Sequence, residues 1–535
     1  MFNFRFENIW SSYLRPSFVS LGILVAGLMA VGVSGFFLKP ILSAAVFVPF
    51  AYFAYKYLSK NFGAGTGSGK NINHLRGAAM VGGAELDNLV IARYGKRQTG
   101  DLHIAGIRIP REFETRGFMF AGAPGTGKSV AITSMLDIIY QRGDAAFIAD
   151  RSGIYAARYY NPQRDIILNP IDARAHEWSP LAEMRSEYDS ETIAKSIIPD
   201  APGDAAEWNH YAQTILAGIL LHAWRAGLNN SAITRLAQRA DMAELKEILA
   251  DHAGIGLLQN EKMFGSIRGI LATYTIGLAR LLPQAGRDGF SLSAWVHEQP
   301  AAFAFFPYLS DQMKPMRGII AALADVYADA VLTLPPDANR RLWLVLDEFA
   351  SLGRVDSMEN FLTNARKHGG CSILGMQALS QVHSLYGRDN ATSMLSSIST
   401  RLTLRAPDAE TAEYLSRGLG DKQVVRTMRS GSRSSSKQGG SNTESWNQQI
   451  ATERLVLPAE IMRTPDLVGY LQIAGDLPVG HIRLSLPPQR PDAAHAFTPR
   501  AAAPTPTPEP APAPELTPTP DATPENENPL DGLEL

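Results

Sequence analysis

Gly122-Ala-Pro-Gly-Thr-Gly-Lys128-Ser129 fits the phosphate-binding loop pattern at every fixed position. A short apolar strand, Gly117 to Ala121, leads into it, and an apolar helix from Val130 to Tyr140 leads out. Glycines let the backbone curl so that successive N–H groups face the phosphates. Lys128 then reaches the β- and γ-phosphates, and the Ser129 hydroxyl ligates Mg²⁺. Gly122, Ala123, Pro124, Gly125, Thr126, Gly127, Lys128 and Ser129 are therefore the expected cradle for ATP. A near-copy upstream, Gly65-Thr-Gly-Ser-Gly69-Lys70, has Ala64 where the first glycine belongs and Asn71 in place of the hydroxyl. With no strand before it, it reads as a flexible linker.

Leu342-Trp-Leu-Val-Leu346 followed by Asp347-Glu348 supplies the other half of an ATPase site. An apolar strand of an open α/β sheet presents its C-terminal end to the ligand, so both carboxylates arrive beside the phosphate loop. Asp347 is expected to hold Mg²⁺ through water and Glu348 to polarise the attacking water. The alternative, an acidic helix start, explains the pair without a nucleotide, but an intact phosphate loop in the same chain favours the site. Phosphoryl transfer also needs a cation for developing charge and a polar group at the γ-phosphate. Arg366, in Asn364-Ala-Arg-Lys-His368, and Gln377, after the strand Cys371 to Gly375, are the candidates. From the residues alone Arg366 is evenly a surface cation or a catalytic one. Asp150, ending the strand Ala145 to Ala149, either caps a helix or contacts the nucleotide, and capping is the preferred reading.

The chain has 535 residues, 45% hydrophobic content, a net charge of −2 and a single cysteine, Cys371. That length accommodates two or three domains, and one cysteine excludes an internal disulfide framework. Eight acidic residues against Arg490 and Arg500 make the C-terminal stretch acidic, leaving the remainder only mildly positive. Charge alone does not argue nucleic-acid binding. Ser17 to Leu38 carries no charge and is long enough to cross a bilayer; Ile41 to Tyr55, after Lys39-Pro40, forms a shorter second run. The flanking cations Arg5, Arg15, Lys56, Lys60, Lys70 and Arg76 outnumber the single Lys39 in the turn, which places both termini in the cytoplasm. A cleaved signal peptide fits less well.

The expected organisation is a transmembrane hairpin over 1–58, with spans near 17–38 and 41–57, and a nucleotide domain over 59–177 and 291–486. An all-helical insert over 178–290 interrupts that domain, clearest at Ala206 to Arg225, Met242 to Asp251 and Ser266 to Leu282. Further strands are expected at Ala301 to Phe306 and Arg401 to Arg405. Arg429 to Ser445, rich in Ser and Gly, reads as a mobile basic loop able to track DNA, and 487–535 as a disordered Pro-rich acidic tail.

The ordered set Gly122 to Ser129, Asp347-Glu348, Arg366 and Gln377 resembles the conjugative type IV coupling proteins, the TrwB/TraD-like membrane ATPases. His74-Leu-Arg-Gly77, Arg454-Leu-Val-Leu-Pro458 and Gly469-Tyr-Leu-Gln-Ile-Ala-Gly475 match as well, and the resemblance covers residues 10 to 485. It implies a RecA-like fold and a homo-hexameric ring in the bacterial inner membrane. It also implies a channel that passes relaxase-bound DNA, single-stranded during transfer, to type IV secretion components. The counterpart of Arg366 acts as an arginine finger across a subunit boundary, and that of Gln377 senses phosphate. The turn Lys39-Pro40 is shorter than the periplasmic segment of some relatives. The other readings are an FtsK-like translocase, whose winged-helix reader the Pro-rich tail leaves no room for, and a membrane adaptor that uses ATP only as a switch.

Overall fold

The computed structural model describes residues 72–201, 203, 205–436 and 439–500. The expected hairpin over 1–58, the linker near Lys70 and the tail beyond residue 500 lie outside them. Among the described residues no helix is long and apolar enough to cross a membrane.

In chain order the strands are β1 (Ile72–Gly77), β2 (Met80–Gly82), β3 (His103–Ile104), β4 (Ile107–Arg108) and β5 (Phe118–Ala121). Then come β6 (Ala145–Arg151), β7 (Ile166–Ile167), β8 (Phe303–Tyr308), β9 (Leu342–Leu346) and β10 (Gly370–Met376). The last are β11 (Thr400–Thr403), β12 (Asp421–Ser436), β13 (Gly439–Arg454), β14 (Val468–Gln472) and β15 (Val479–Arg483). The described residues divide into two compact units, one of 72–79 with Ser416–Leu457, the other of Met80–Leu415 with 458–500.

The larger unit is built on a ten-stranded sheet in the order β2-β15-β14-β11-β5-β10-β9-β6-β8-β7. From β11 to β7 every neighbouring pair is parallel. Parallel strands are covered on both faces, so they read as unbroken apolar runs. Every residue of β5, β8, β9 and β10 is buried accordingly. The helix Lys128–Arg142 rises from the end of β5 and stops where Gly143 adopts a left-handed φ of 74°, its N–H returning to Ile139 O and Tyr140 O.

Between β7 and β8 the chain leaves the sheet for a helical insert. The helices Asp189–Ile197, Ala205–Arg225, Asn230–Arg239, Met242–Ile248 and Glu261–Thr275 bury a seam of Ile215, Leu216, Ile219, Leu236, Ile267 and Leu271. Asn229, Asp241 and Asn260 cap three of them by accepting from the backbone N–H three residues on. The two ends of the insert meet at a buried carboxylate. Glu183 accepts from Trp178 Nε1 at 2.7 Å, Leu292 N at 2.7 Å, Ser293 N at 3.0 Å and Ser291 Oγ at 3.0 Å.

Two expectations are corrected. Arg429 to Ser445 is no loop: the smaller unit pairs β12 with β13 antiparallel from Asp421↔Arg454 to Ser436↔Gly439, with β1 alongside β12. Ladder hydrogen bonds come from the backbone, which a Ser/Gly-rich composition does not report. The stretch after Pro487 does not leave the domain at once. Ala493 N and Ala494 N donate to Ala157 O, Ala173 N donates to Thr498 O, and Arg500 N donates to Ile171 O. Such a segment has no core of its own, yet its extended backbone finds partners on a folded neighbour.

Glu183→Ala would strand the Trp178, Leu292 and Ser293 donors in a buried place. We expect a loss of about 3 kcal/mol in urea unfolding, with the insert becoming the first site of protease cleavage.

Candidate functional site

The order of strands decides what meets at the sheet's C-terminal edge. β10 lies between β5 and β9, in register Met376↔Ala121 and Leu374↔Leu346. The residue following β10, Gln377, therefore emerges between the phosphate loop and the Asp347-Glu348 pair. β6 flanks β9 on the other side with Ala149↔Leu346, which brings Arg151 level with Glu348.

The loop after β5 turns through Gly125 at φ 77° and Gly127 at φ 116°, a region open to glycine at little cost. A side chain at Gly127 would also meet Leu467, whose own N–H donates to Thr126 O at 2.9 Å. Thr126 Oγ1 donates to Ala123 O at 2.7 Å and tightens the curl. Lys128 curls onto the loop, its Nζ donating to Gly122 O at 2.6 Å and Ala123 O at 3.2 Å. Burial lowers the Lys128 pKa and Arg151 adds to this, while Glu348 and Asp347 oppose it.

Asp347 and Glu348 are both buried. Ser129 Oγ donates to Asp347 Oδ2 at 3.0 Å, and Tyr155 OH donates to the same oxygen at 3.0 Å. Glu348 Oε2 accepts from Gln377 Nε2 and, at 3.4 Å, from Arg151 Nη1. Burial raises the Glu348 pKa, and the Lys128 and Arg151 cations hold it down. Gly375 makes this proximity possible, because a Cβ there would lie 1.8 Å from Asp347 O. Lys128, Ser129, Arg151, Asp347, Glu348 and Gln377 line a cleft of about 470 Å³ that also takes in Ser152, Ile154 and Leu486.

Magnesium in phosphate sites takes one or two protein oxygens and completes its shell with water and phosphate. Among the described residues no group of three His, Cys, Asp or Glu side chains could hold a metal. The Ser129 hydroxyl touching the Asp347 carboxylate beside an open cleft is the pair that fits such an ion.

Arg366 is not brought to this cleft. It sits exposed in the 3₁₀ turn Ala365–His368, before β10, where it lines a different cavity of about 640 Å³ with Glu112, Asp337 and Lys367. The length of β10, roughly 20 Å at 3.3 Å per residue, separates it from Gln377. Asp150 caps the helix Ile154–Tyr159, accepting from Ala156 N at 2.6 Å. Burial pushes its pKa up to about 7 against the backbone donors of that helix, and Asp347 pushes the same way. Arg151 and Tyr155 were not singled out in the sequence. Arg151 continues an apolar strand that already ends in Asp150, but only the β6–β9 pairing carries it to Glu348.

A phosphate loop, a facing carboxylate strand and a helical insert on a parallel sheet define a P-loop nucleotide-binding protein. A family model described as the type IV secretion-system coupling protein DNA-binding domain matches residues 101–485, and the chain belongs to that family. It is 28% identical over 436 residues to the coupling protein TraD of Escherichia coli K12, a match covering 79% of this chain and 60% of TraD. A conjugal transfer protein TraG of Escherichia coli is 25% identical over 348 residues, 56% of this chain and 54% of TraG. The chain thus spans less than two thirds of the length of these relatives. Among solved structures, the bacterial conjugative coupling protein TrwBΔN70 in its unbound form superposes with a TM-score of 0.72 at 28% identity, covering 81% of this chain and 98% of that one. TrwB in complex with ADP and Mg²⁺ gives a TM-score of 0.72 at 28% identity over 81% of this chain and 99% of that one.

Gly375→Ala forces β9 and β10 apart behind the carboxylates. A destabilisation of about 2 kcal/mol is expected from overpacking, seen as a lower melting temperature together with weaker binding of a fluorescent ATP analogue.

Proposed function

We propose that this chain is an ATP-hydrolysing coupling protein of the bacterial inner membrane, working as a homo-hexamer. On this reading it couples relaxase-bound DNA to a type IV secretion channel and drives its transfer in conjugation. The observation that carries the reading is the contact of Ser129 with Asp347, with Glu348 held by Gln377 beside it. Family membership and the nucleotide complexes of TrwB support it.

In this account Lys128 gives up Gly122 O and Ala123 O and turns its ammonium to the β- and γ-phosphates. The loop N–H groups from Gly125 to Ser129 replace the solvent around those oxygens. Ser129 and Asp347 would hold Mg²⁺, whose charge would offset that of the phosphates. Glu348 orients the water in line with the γ-phosphorus and takes up its proton. Lys128 and Arg151 oppose the upward shift that burial gives that carboxylate. Gln377 bridges the γ-phosphate region and Glu348, so loss of the γ-phosphate changes its partner. Arg366 reaches the nucleotide of the neighbouring protomer, since its own lies at the other end of β10. Both ring contacts and DNA-contacting segments then respond to hydrolysis. The hairpin over 1–58 would hold the ring in the bilayer.

The test is ATP turnover by the full-length protein in detergent, with and without single-stranded DNA. Turnover is expected to rise with DNA and to fall about 10²-fold in Lys128→Ala, as when one transition-state donor is lost. Nucleotide binding without turnover in either condition would leave a switch-type adaptor and contradict the motor.

A further inference from the structure

Behind the catalytic carboxylate lies a second cavity of about 430 Å³, lined by Arg151, Tyr308, Arg317, Glu348, Gln377 and Gln381 among others. It shares Arg151, Glu348 and Gln377 with the nucleotide cleft, so these three side chains form a screen between the two spaces. The reading of the first cleft as an ATP site leaves this neighbour without a role.

Its chemistry is that of an oxyanion site. Two guanidinium groups face it against one carboxylate, and that carboxylate already accepts from Gln377 and Arg151. Among the described residues Arg317 makes no hydrogen bond and no ion pair. Room for it is kept by Gly353, at φ 98°, where a Cβ would stand 3.1 Å from Arg317 Nε. The Tyr308 hydroxyl adds a proton donor, its pKa pushed up to about 12 by burial. A guanidinium presents paired N–H groups that match two phosphate oxygens at once. The space also continues outward. Arg317, Ser384 and Leu385 line a third cavity of about 370 Å³ that reaches Pro199, Asp200 and Tyr274 of the helical insert.

We propose that the cavity behind Glu348 binds inorganic phosphate, held by Arg317 and Arg151, and that phosphate released by hydrolysis leaves through it toward the helical insert. This rests on the ATPase reading and deepens it. The phosphate in question is the free ion, not a DNA backbone phosphate. The Arg317 guanidinium beside Arg151 matches the oxygens of one tetrahedral anion, whereas a polynucleotide needs a groove long enough to follow its backbone.

The experiment loads the full-length protein with Mg²⁺ and a non-hydrolysable ATP analogue, which fills the first cleft through its γ-position. Binding of radiolabelled phosphate is then measured by equilibrium dialysis. One further phosphate per chain is expected, with affinity lowered about tenfold in Arg317→Ala by loss of a charge-assisted contact. Arg317→Lys, which keeps the charge but not the fork, should lie between. Arg317 is exposed on the helix Met313–Thr333, so the melting temperature and analogue binding of these variants should match the parent. Absence of bound phosphate, or equal affinity in parent and Arg317→Ala, overturns the proposal while retained analogue leaves the nucleotide site standing. Failure to retain the analogue contradicts the nucleotide site itself. A drop in oligonucleotide affinity in Arg317→Ala with phosphate binding unchanged assigns the cavity to DNA and likewise overturns it.

Discussion

Ser129 and Asp347 stand 218 positions apart in the chain and 3.0 Å apart in space, and the rest of the molecule is arranged to make that contact. Two parallel strands with a third between them bring it about. β5 delivers the phosphate loop, β9 delivers the carboxylates, and β10 sets their separation. A sheet of buried, apolar, parallel strands has little freedom to slide, because a shift of one residue swaps the two covered faces and sets every side chain against packing shaped for its neighbour. The same stiffness fixes Gln377 between the two halves. The polar groups of the cleft thus sit at the end of a rigid apolar frame, where burial shifts Lys128 downward and Glu348 upward.

Placement on one edge has a consequence for the other. Arg366 belongs to the opposite end of β10 and opens onto its own cavity. In the proposed ring, one protomer's far edge would stand against the next one's cleft and bring Arg366 to it. The helical insert is joined to the sheet at Glu183 and packs back against the sheet's own helices, where Ser196 meets Asp325 and Asp200 N donates to Asp356 at 3.3 Å. The cavity behind Glu348 shares Arg317, Ser384 and Leu385 with a third cavity that is also lined by Pro199, Asp200 and Tyr274 of the insert.

Much of this was legible in the residues. The phosphate loop, the Asp347-Glu348 strand and Gln377 announced themselves by pattern, and the strands fell close to expectation because buried parallel strands leave contiguous apolar runs such as Leu342–Leu346. The region from Trp178 to Gln284 read as helical, and among the described residues it contains no strand. Strand order was not legible, since local sequence carries no record of which strand lies beside which, and with it went Arg151. The β12–β13 hairpin and the run from Pro488 to Arg500 were missed for a different reason. Both are held largely by backbone hydrogen bonds, to which side-chain composition is nearly blind.

The central claim, that each nucleotide is served by Lys128 of one protomer and Arg366 of the next, is tested most directly by mixing. Lys128→Ala and Arg366→Ala proteins, each inactive alone, would be co-assembled at several ratios and assayed for ATP turnover. The account predicts that turnover returns in the mixtures and peaks near equal proportions, because a Lys128 from one variant can face an Arg366 from the other. Mixed assemblies that stay inactive at every ratio would contradict it.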